Sequence, residues 1–261
     1  MPERDGEFTR HGAPWRSDRV AGSRTSTDTG VETKPIFRLR GVGVDYSTPT
    51  GTVTGVHDVN LDVPTKGITV LAGPSGSGKS TLLRVLGLFE RPARGMMTFE
   101  GADTGRLRHA ERRALRREHL GLVFQNPTDN LLGYLTVADN LRAAAEAARA
   151  TCHPDDILGQ LGLGGTGSWH ISALSGGQQQ RLAFGCVLAR GSTVVVADEP
   201  TSQLDEASAD LVLDTLHYLA AQEFTVVVAS HDDRLIALGS RVAWLRKGIL
   251  EKVEERGDER S

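Results

Sequence analysis

The octapeptide Gly73-Pro74-Ser75-Gly76-Ser77-Gly78-Lys79-Ser80 constrains this chain more than any other stretch, because such a loop works only between a strand and a helix. The flanks fit that requirement. Gly67-Ile68-Thr69-Val70-Leu71-Ala72 is a short β-prone run before it, and Leu82, Leu83, Val85 and Leu86 recur at helical spacing after it. The glycines let successive backbone N–H groups turn inward around phosphates, and the helix N-terminus adds the positive end of its dipole. The pattern assigns Lys79 to the β- and γ-phosphates of a nucleotide and the Ser80 hydroxyl to Mg²⁺.

A second constellation supplies carboxylates. Thr193-Val194-Val195-Val196-Ala197-Asp198-Glu199 is a buried-strand run with two acids at its end, where open parallel sheets bind ligands. One acid can hold a metal while the other polarises water, so Asp198 is expected on Mg²⁺ and Glu199 as the general base. A further apolar run, Thr225 to Ala229, follows the helical pattern of Leu211, Val212, Leu216 and Leu219, which is a parallel βαβ unit. The segment from about Asn126 to Arg190 is mostly helix-like and reads as an insertion, with Thr136-Val137-Ala138-Asp139 resembling a capping box. The expected fold is α/β.

Composition narrows the setting. With 261 residues, 39% of them apolar, the chain can bury the core of one large domain with an inserted subdomain. Its net charge of -3, with both signs mixed, gives no bias towards nucleic acid. The longest apolar runs are far short of the roughly 20 residues a membrane helix needs, and the N-terminus has the form of neither a secretory signal nor a transit peptide. The cytoplasm is therefore the expected compartment. Cys152 and Cys186 are the only cysteines and lack any ligand-like spacing. Residues 1–35 are poor in apolar side chains and are expected to be a disordered tail, the folded domain to span 36–255, and 256–261 to be a polar tail. The arginine-rich stretch holding Arg106, Arg108, Arg112, Arg113, Arg116 and Arg117 lacks interleaved aromatics and reads as a solvated helix face.

Leu174-Ser175-Gly176-Gly177-Gln178-Gln179-Gln180-Arg181 resembles the signature sequence of ATP-binding cassette proteins. Other stations of that family stand in order: Gln125 after Gly121 to Phe124, Ser202-Gln203-Leu204-Asp205 after the acids, and Ser230-His231-Asp232 after the last core run. The resemblance covers about Ile36 to Lys252 and implies a P-loop NTPase core of RecA-like type, with a parallel sheet, an antiparallel β subdomain and the inserted helical subdomain at about 126–190. It implies an ATPase whose cofactors are ATP and Mg²⁺. Residues 73–81, with Thr81 included, would bind ATP. Two cassettes, as a homodimer or heterodimer, would close head to tail, so that Ser175, Gly176, Gly177 and Gln178 of one subunit cover ATP held by the other. Gln125 would contact Mg²⁺ and the attacking water, His231 the γ-phosphate, and Asp205 would couple the two sites across the seam. Tyr46 stands where the family places a ring that stacks on adenine, a contact worth about 1–3 kcal/mol in nucleic-acid binders.

The resemblance also implies a partner, a separate polytopic membrane protein that would hold the cassette at the inner face of the membrane. The order Leu86-Gly87-Leu88, Arg91-Pro92-Ala93-Arg94-Gly95, Arg116-Arg117 and Val123-Phe124-Gln125 is similar to cassettes of lipoprotein-release and macrolide-export systems. Two departures stand out: Gln203 replaces a smaller residue, and Cys186 lies where an arginine is common. Rival readings are a soluble cassette ATPase acting on ribosomes or DNA, and a slow-hydrolysis scaffold for a membrane partner. The first usually carries tandem cassettes, zinc-binding cysteines or long coiled coils, none of which this sequence shows.

Overall fold

Valine-rich runs that alternate between two apolar environments organise the computed structural model, which describes residues 34–49 and 51–256. The expected tails fall almost wholly outside those residues. Strands β1 (Phe37–Thr48) and β2 (Gly51–Val63) lead to β3 (Gly67–Ala72), after which the phosphate loop turns into α1 (Lys79–Leu86). Next come β4 (Arg94–Phe99), β5 (Ala102–Asp103), α2 (His109–His119) and β6 (Leu120–Val123). A helical stretch follows with α3 (Val137–Ala147), α4 (Pro154–Gln160) and α5 (Gly176–Ala189). The chain then returns through β7 (Val194–Asp198), α6 (Glu206–Ala221), β8 (Thr225–Ser230), α7 (Asp233–Leu238), β9 (Arg241–Arg246) and β10 (Ile249–Glu255).

The described strands form two sheets. One is antiparallel in the order β2-β1-β4-β5; the other runs β10-β9-β3-β8-β7-β6 and is parallel except for its edge strand β10. Because successive strand residues face opposite ways, the larger sheet feeds two cores. Val70, Ala72, Val195, Ala197, Val226 and Val228 join one cluster with α5 and α6, while Leu71, Val194, Val196, Val227 and Ala229 join another with α1 and the antiparallel sheet. Sheets buried on both faces read as continuous apolar runs rather than alternating ones, which is why β7 and β8 are so evident in the sequence.

Local chemistry sets the helix ends. Thr136 caps α3 by accepting from the Asp139 N–H, and Ser175 caps α5 in a reciprocal box with Gln178. Asp205 caps α6 by accepting from the Ser208 N–H. One expectation fails: α2 is not a wholly solvated face. Arg112 is buried at 9% exposure, and the half-buried Arg116 donates to the Leu88 carbonyl with its guanidinium 4.9 Å from the Phe89 ring centre. The cause is amphipathic packing, in which long basic stems cover apolar surface; burial lowers the Arg112 pKa.

The sheet packs tightly against α5 at Gly121, where a Cβ would stand 2.1 Å from Val187 Cγ1. Gly121→Ala should therefore destabilise the fold by about 1–3 kcal/mol through overpacking. Adding Val187→Ala should return much of that loss. Urea denaturation of the three variants checks it, and an unperturbed Gly121→Ala midpoint would remove the close packing from the account.

Candidate active site

The parallel register brings the chemistry to one edge. Ala72 of β3 pairs with Ser230 of β8, Ala229 of β8 pairs with Asp198 of β7, and Ala197 of β7 pairs with Val123 of β6. The segments leaving those four strands carry the phosphate loop, His231, Glu199 and Gln125 respectively. Ligands of open parallel sheets gather at this carboxyl edge.

The loop is built by residues that tolerate left-handed backbone. Gly73, Gly76 and Gly78 have φ of 146°, 74° and 102°, and a Cβ at Gly73 would approach the Leu245 carbonyl oxygen to 2.2 Å. The Lys79 side chain is 5% exposed, and its ammonium donates to the carbonyls of Gly73 at 2.7 Å and Pro74 at 3.2 Å. Glu199 Oε1 stands 3.3 Å from the same nitrogen. A buried ammonium ringed by oxygens at the start of a helix is a strong attractor for an oxyanion. Pro74, Ser75 and Ser80 are exposed around it, whereas Ser77 is buried.

Glu199 is the hub. Its carboxylate lies within 3.0 Å of His231 Nδ1 at both oxygens, and its backbone N–H donates to the Ala229 carbonyl at 2.9 Å. The residue has φ of 44°, a left-handed conformation that costs a non-glycine residue about 1–3 kcal/mol. His231 itself is 62% exposed, so the imidazole stands at the surface above a mostly buried carboxylate. The Ser80 hydroxyl donates to Asp198 Oδ1 at 3.0 Å. Burial holds the Asp198 carboxyl above the usual carboxylate range, an effect opposed by the Ser80 hydrogen bond and reinforced by the Glu199 charge. Gln125 Nε2 donates to Ser202 Oγ at 3.1 Å, and Ser202 Oγ donates to the Glu199 carbonyl at 3.0 Å.

Ser80, Asp198 and Gln125 together offer hydroxyl, carboxylate and amide oxygens, a set suited to a hard cation that keeps waters and shares phosphate oxygens. Among the described residues no group of three or more His, Cys, Asp or Glu side chains could cage a metal.

Residues 175–178 share no hydrogen bond or ion pair with this cluster among the described residues. Ser175 is exposed, with its hydroxyl accepting from the Gln178 N–H at 3.3 Å and the Gln178 side chain accepting from the Ser175 N–H at 2.9 Å. Gly177 is needed for packing, since a Cβ there would lie 2.7 Å from Ser208 Cβ. Asp205 is likewise occupied locally, accepting from the Ser208 N–H at 2.9 Å and hydroxyl at 2.8 Å, bonds that hold its carboxyl below the usual range. Gln203 lines a cavity of ≈ 180 Å³ with Gln125, Gly176, Gln179 and Gln180.

Tyr46 is half-buried, and its hydroxyl meets Glu90 Oε2 at 2.8 Å and Thr81 Oγ1 at 3.3 Å. Glu90 and Asn130 have no assignment from sequence, and Ser202, although part of the Ser202 to Asp205 motif, has no role of its own there. Asn130 accepts from the Phe124 N–H at 2.8 Å and donates to the Leu122 carbonyl at 2.6 Å, fastening the turn that bears Gln125. Glu90 and Ser202 have no spacing signature because Tyr46 and Gln125 lie far from them in the chain.

Next to that turn lies a groove of ≈ 530 Å³ lined by Phe89, Arg113, Arg116, Leu132, Ala144 and Arg190, among others. Phe124 and Tyr134 are exposed nearby at 37% and 78%.

Comparison with known proteins agrees with this geometry. A family model described as "ABC transporter" matches residues 56–202. The lipoprotein-releasing system ATP-binding protein LolD of Novosphingobium aromaticivorans is 39% identical over 226 residues, covering 83% of this chain and 99% of the relative. The macrolide export ATP-binding/permease protein MacB 1/2 of Paracoccus denitrificans is 39% identical over 221 residues, covering 82% of this chain. The chain spans about a third of that relative's length, 32%. Among solved structures, the ATP-binding cassette MJ0796, a dimer in a post-hydrolysis state bound to ADP and Pi, superposes with a TM-score of 0.75 at 30% identity, covering 85% of this chain and 99% of that one. No described helix is long and apolar enough to cross a membrane. The buried lysine in its phosphate loop, the acids beside it and these relatives lead to one conclusion: the chain belongs to the ABC transporter family and is an ATP-binding cassette ATPase.

Proposed function

We propose that the chain is the ATP-hydrolysing subunit of a transporter, closing with a second cassette around ATP and driving a separate membrane protein. The observation that carries the site reading is the Glu199 carboxylate between the buried Lys79 ammonium, at 3.3 Å, and His231 Nδ1, at 3.0 Å. Phosphate oxygens entering the loop compete with Glu199 for Lys79, so nucleotide arrival frees the carboxylate to accept a proton from water. With Nδ1 turned towards Glu199, His231 has Nε2 left for the γ-phosphate. Residues 73–81 cradle the phosphates through loop N–H groups, Lys79 and the hydroxyls of Ser80 and Thr81. Ser80, Asp198 and Gln125 would hold Mg²⁺, which supplies charge neutralisation at the phosphates when bound. Tyr46 offers a ring to the adenine.

Ser175 to Gln178 act in trans in this reading. Their support is an exposed helix N-terminus with a hydroxyl and glycine N–H groups that is not tied to the subunit's own phosphate loop. Asp205 stands beside it at the seam. The dimeric relative MJ0796 favours the same assembly.

The groove beside Gln125 is the docking place for the membrane partner. Its rim carries Arg113, Arg116, Arg117 and Arg190 over an apolar floor, so an amphipathic segment with acidic side chains complements it. In this reading the partner holds the cassette on the cytoplasmic side of the membrane. The names of the relatives, a lipoprotein-releasing ATP-binding protein and a macrolide export ATP-binding/permease protein, support a transporter over a ribosome or DNA partner.

Glu199→Gln keeps the side-chain shape without the base, so kcat should fall by about 10²–10⁴-fold while ATP binding persists and closed dimers accumulate in size-exclusion chromatography. Unchanged turnover would remove Glu199 from the role of base. Mixing Lys79→Ala with Ser175→Arg subunits should restore activity above either alone, because one composite site stays intact. Failure to complement would sink the in-trans assignment. In membranes from the native cell, tagged Glu199→Gln trapped with ATP should recover a multi-span protein. Adding Arg113→Glu and Arg117→Glu should lose that protein but not the ATP-closed dimer; undiminished recovery would exclude the groove.

A further inference from the structure

Glu90 lies outside the sequence motifs, yet it is tied to the aromatic ring offered to the nucleotide base. It accepts a hydrogen bond from the Tyr46 hydroxyl at 2.8 Å. Arg84 Nε stands 3.7 Å from the same carboxylate oxygen, and the Glu90 N–H donates to the Arg84 carbonyl at 3.2 Å. Glu90 is thereby anchored to the last turn of α1, the helix whose first residue is Lys79. The Tyr46 hydroxyl also lies 3.3 Å from Thr81 Oγ1, on the first turn of that helix. The ring edge is packed against Gly55, where a Cβ would come 2.7 Å from Tyr46 Cε2 and 2.9 Å from Thr81 Cγ2. Register shifts in β1 between Val42 and Val44 and between Val44 and Asp45 lie just before Tyr46, irregularities of the kind that re-aim side chains near sites.

We propose that Glu90 is a positioning residue for nucleotide recognition: it holds the Tyr46 phenol through its hydroxyl, so that one short helix sets the spacing between the base-stacking ring and the phosphate loop. This rests on Tyr46 stacking on the base, as proposed above. The physical benefit is pre-organisation. A ring fixed at its para position has less freedom to lose when the base arrives, and ordering one side chain is enough to change affinity several-fold. Because Glu90 acts through Tyr46 and not on the phosphates, its removal should weaken binding of base-bearing nucleotides without altering the chemical step.

The test uses the full chain and measures ATPase kinetics together with competition by inorganic tripolyphosphate, which fills the phosphate loop but has no base. Glu90→Ala should raise KM for ATP by about threefold to tenfold, leave kcat within twofold, and leave tripolyphosphate inhibition unchanged. Glu90→Gln, whose amide oxygen can still accept from the phenol, should recover most of the affinity. Tyr46→Phe should match Glu90→Ala, and the double variant should be no worse than either, since both remove the same bond. If Tyr46→Ala raises KM but Glu90→Ala does not, the positioning role is overturned while the stacking reading stands. If Tyr46→Ala itself leaves KM unchanged, the stacking reading falls and takes this role with it. A Glu90→Ala variant that weakens tripolyphosphate as much as ATP also overturns the proposal, because general damage to α1 would then be the cause.

Discussion

Everything at the active edge depends on the in-register parallel pairing of β3 with β8, from Gly67 opposite Thr225 to Ala72 opposite Ser230. That ladder, extended through β7, makes three chain segments end at one level, and only then can Lys79, His231 and Glu199 meet within hydrogen-bonding distance. A shift of one residue would turn each apolar side chain to the opposite face of the sheet. Both faces of this sheet are buried, so the register is held from two sides.

The site concentrates its strain and its buried charge at the same residue. Glu199 adopts a left-handed backbone conformation, and its carboxylate shares a small volume with the Lys79 ammonium and the Asp198 carboxyl. Burying charges is costly unless they are paired, and here the Glu199 carboxylate pairs with the Lys79 ammonium, the group proposed to meet a triphosphate. In the proposed reading, ligand binding exchanges one set of ion pairs for another rather than creating charge contacts anew. The hydrogen-bonded path from Gln125 through Ser202 to the Glu199 carbonyl joins the turn beside the groove to the same hub.

The signature helix illustrates how one residue can serve two ends. Ser175 and Gln178 cap α5, Gly177 permits its contact with Ser208, and Asp205 caps α6 beside it. These local duties are met within a single chain, and they leave exposed helix ends side by side, the surface proposed to meet a second cassette. Gln203 adds a larger polar side chain to the cavity under that surface, next to Gln125.

Much of this was legible in the sequence because the decisive signals are local. The phosphate loop is contiguous and its glycines are dictated by φ values of 74° to 146°; the strands β7 and β8 are unbroken apolar runs because both their faces are buried. The ordered motifs likewise identified the family. The sequence did not disclose that Arg112 is buried, since a helical arginine looks the same whether its stem covers apolar surface or faces water. Nor did it mark Glu90, or show that Ser202 reaches Gln125. Glu90 lies 44 residues from Tyr46 and Ser202 lies 77 from Gln125, so their hydrogen bonds have no spacing signature. The sequence by itself determined which glycine-rich loop joins a strand to a helix and which strand delivers the acids, because those are properties of backbone conformation and hydrophobic burial in consecutive residues. Only the tertiary structure decided which side chains orient them, because that depends on which distant strands and helices pack together.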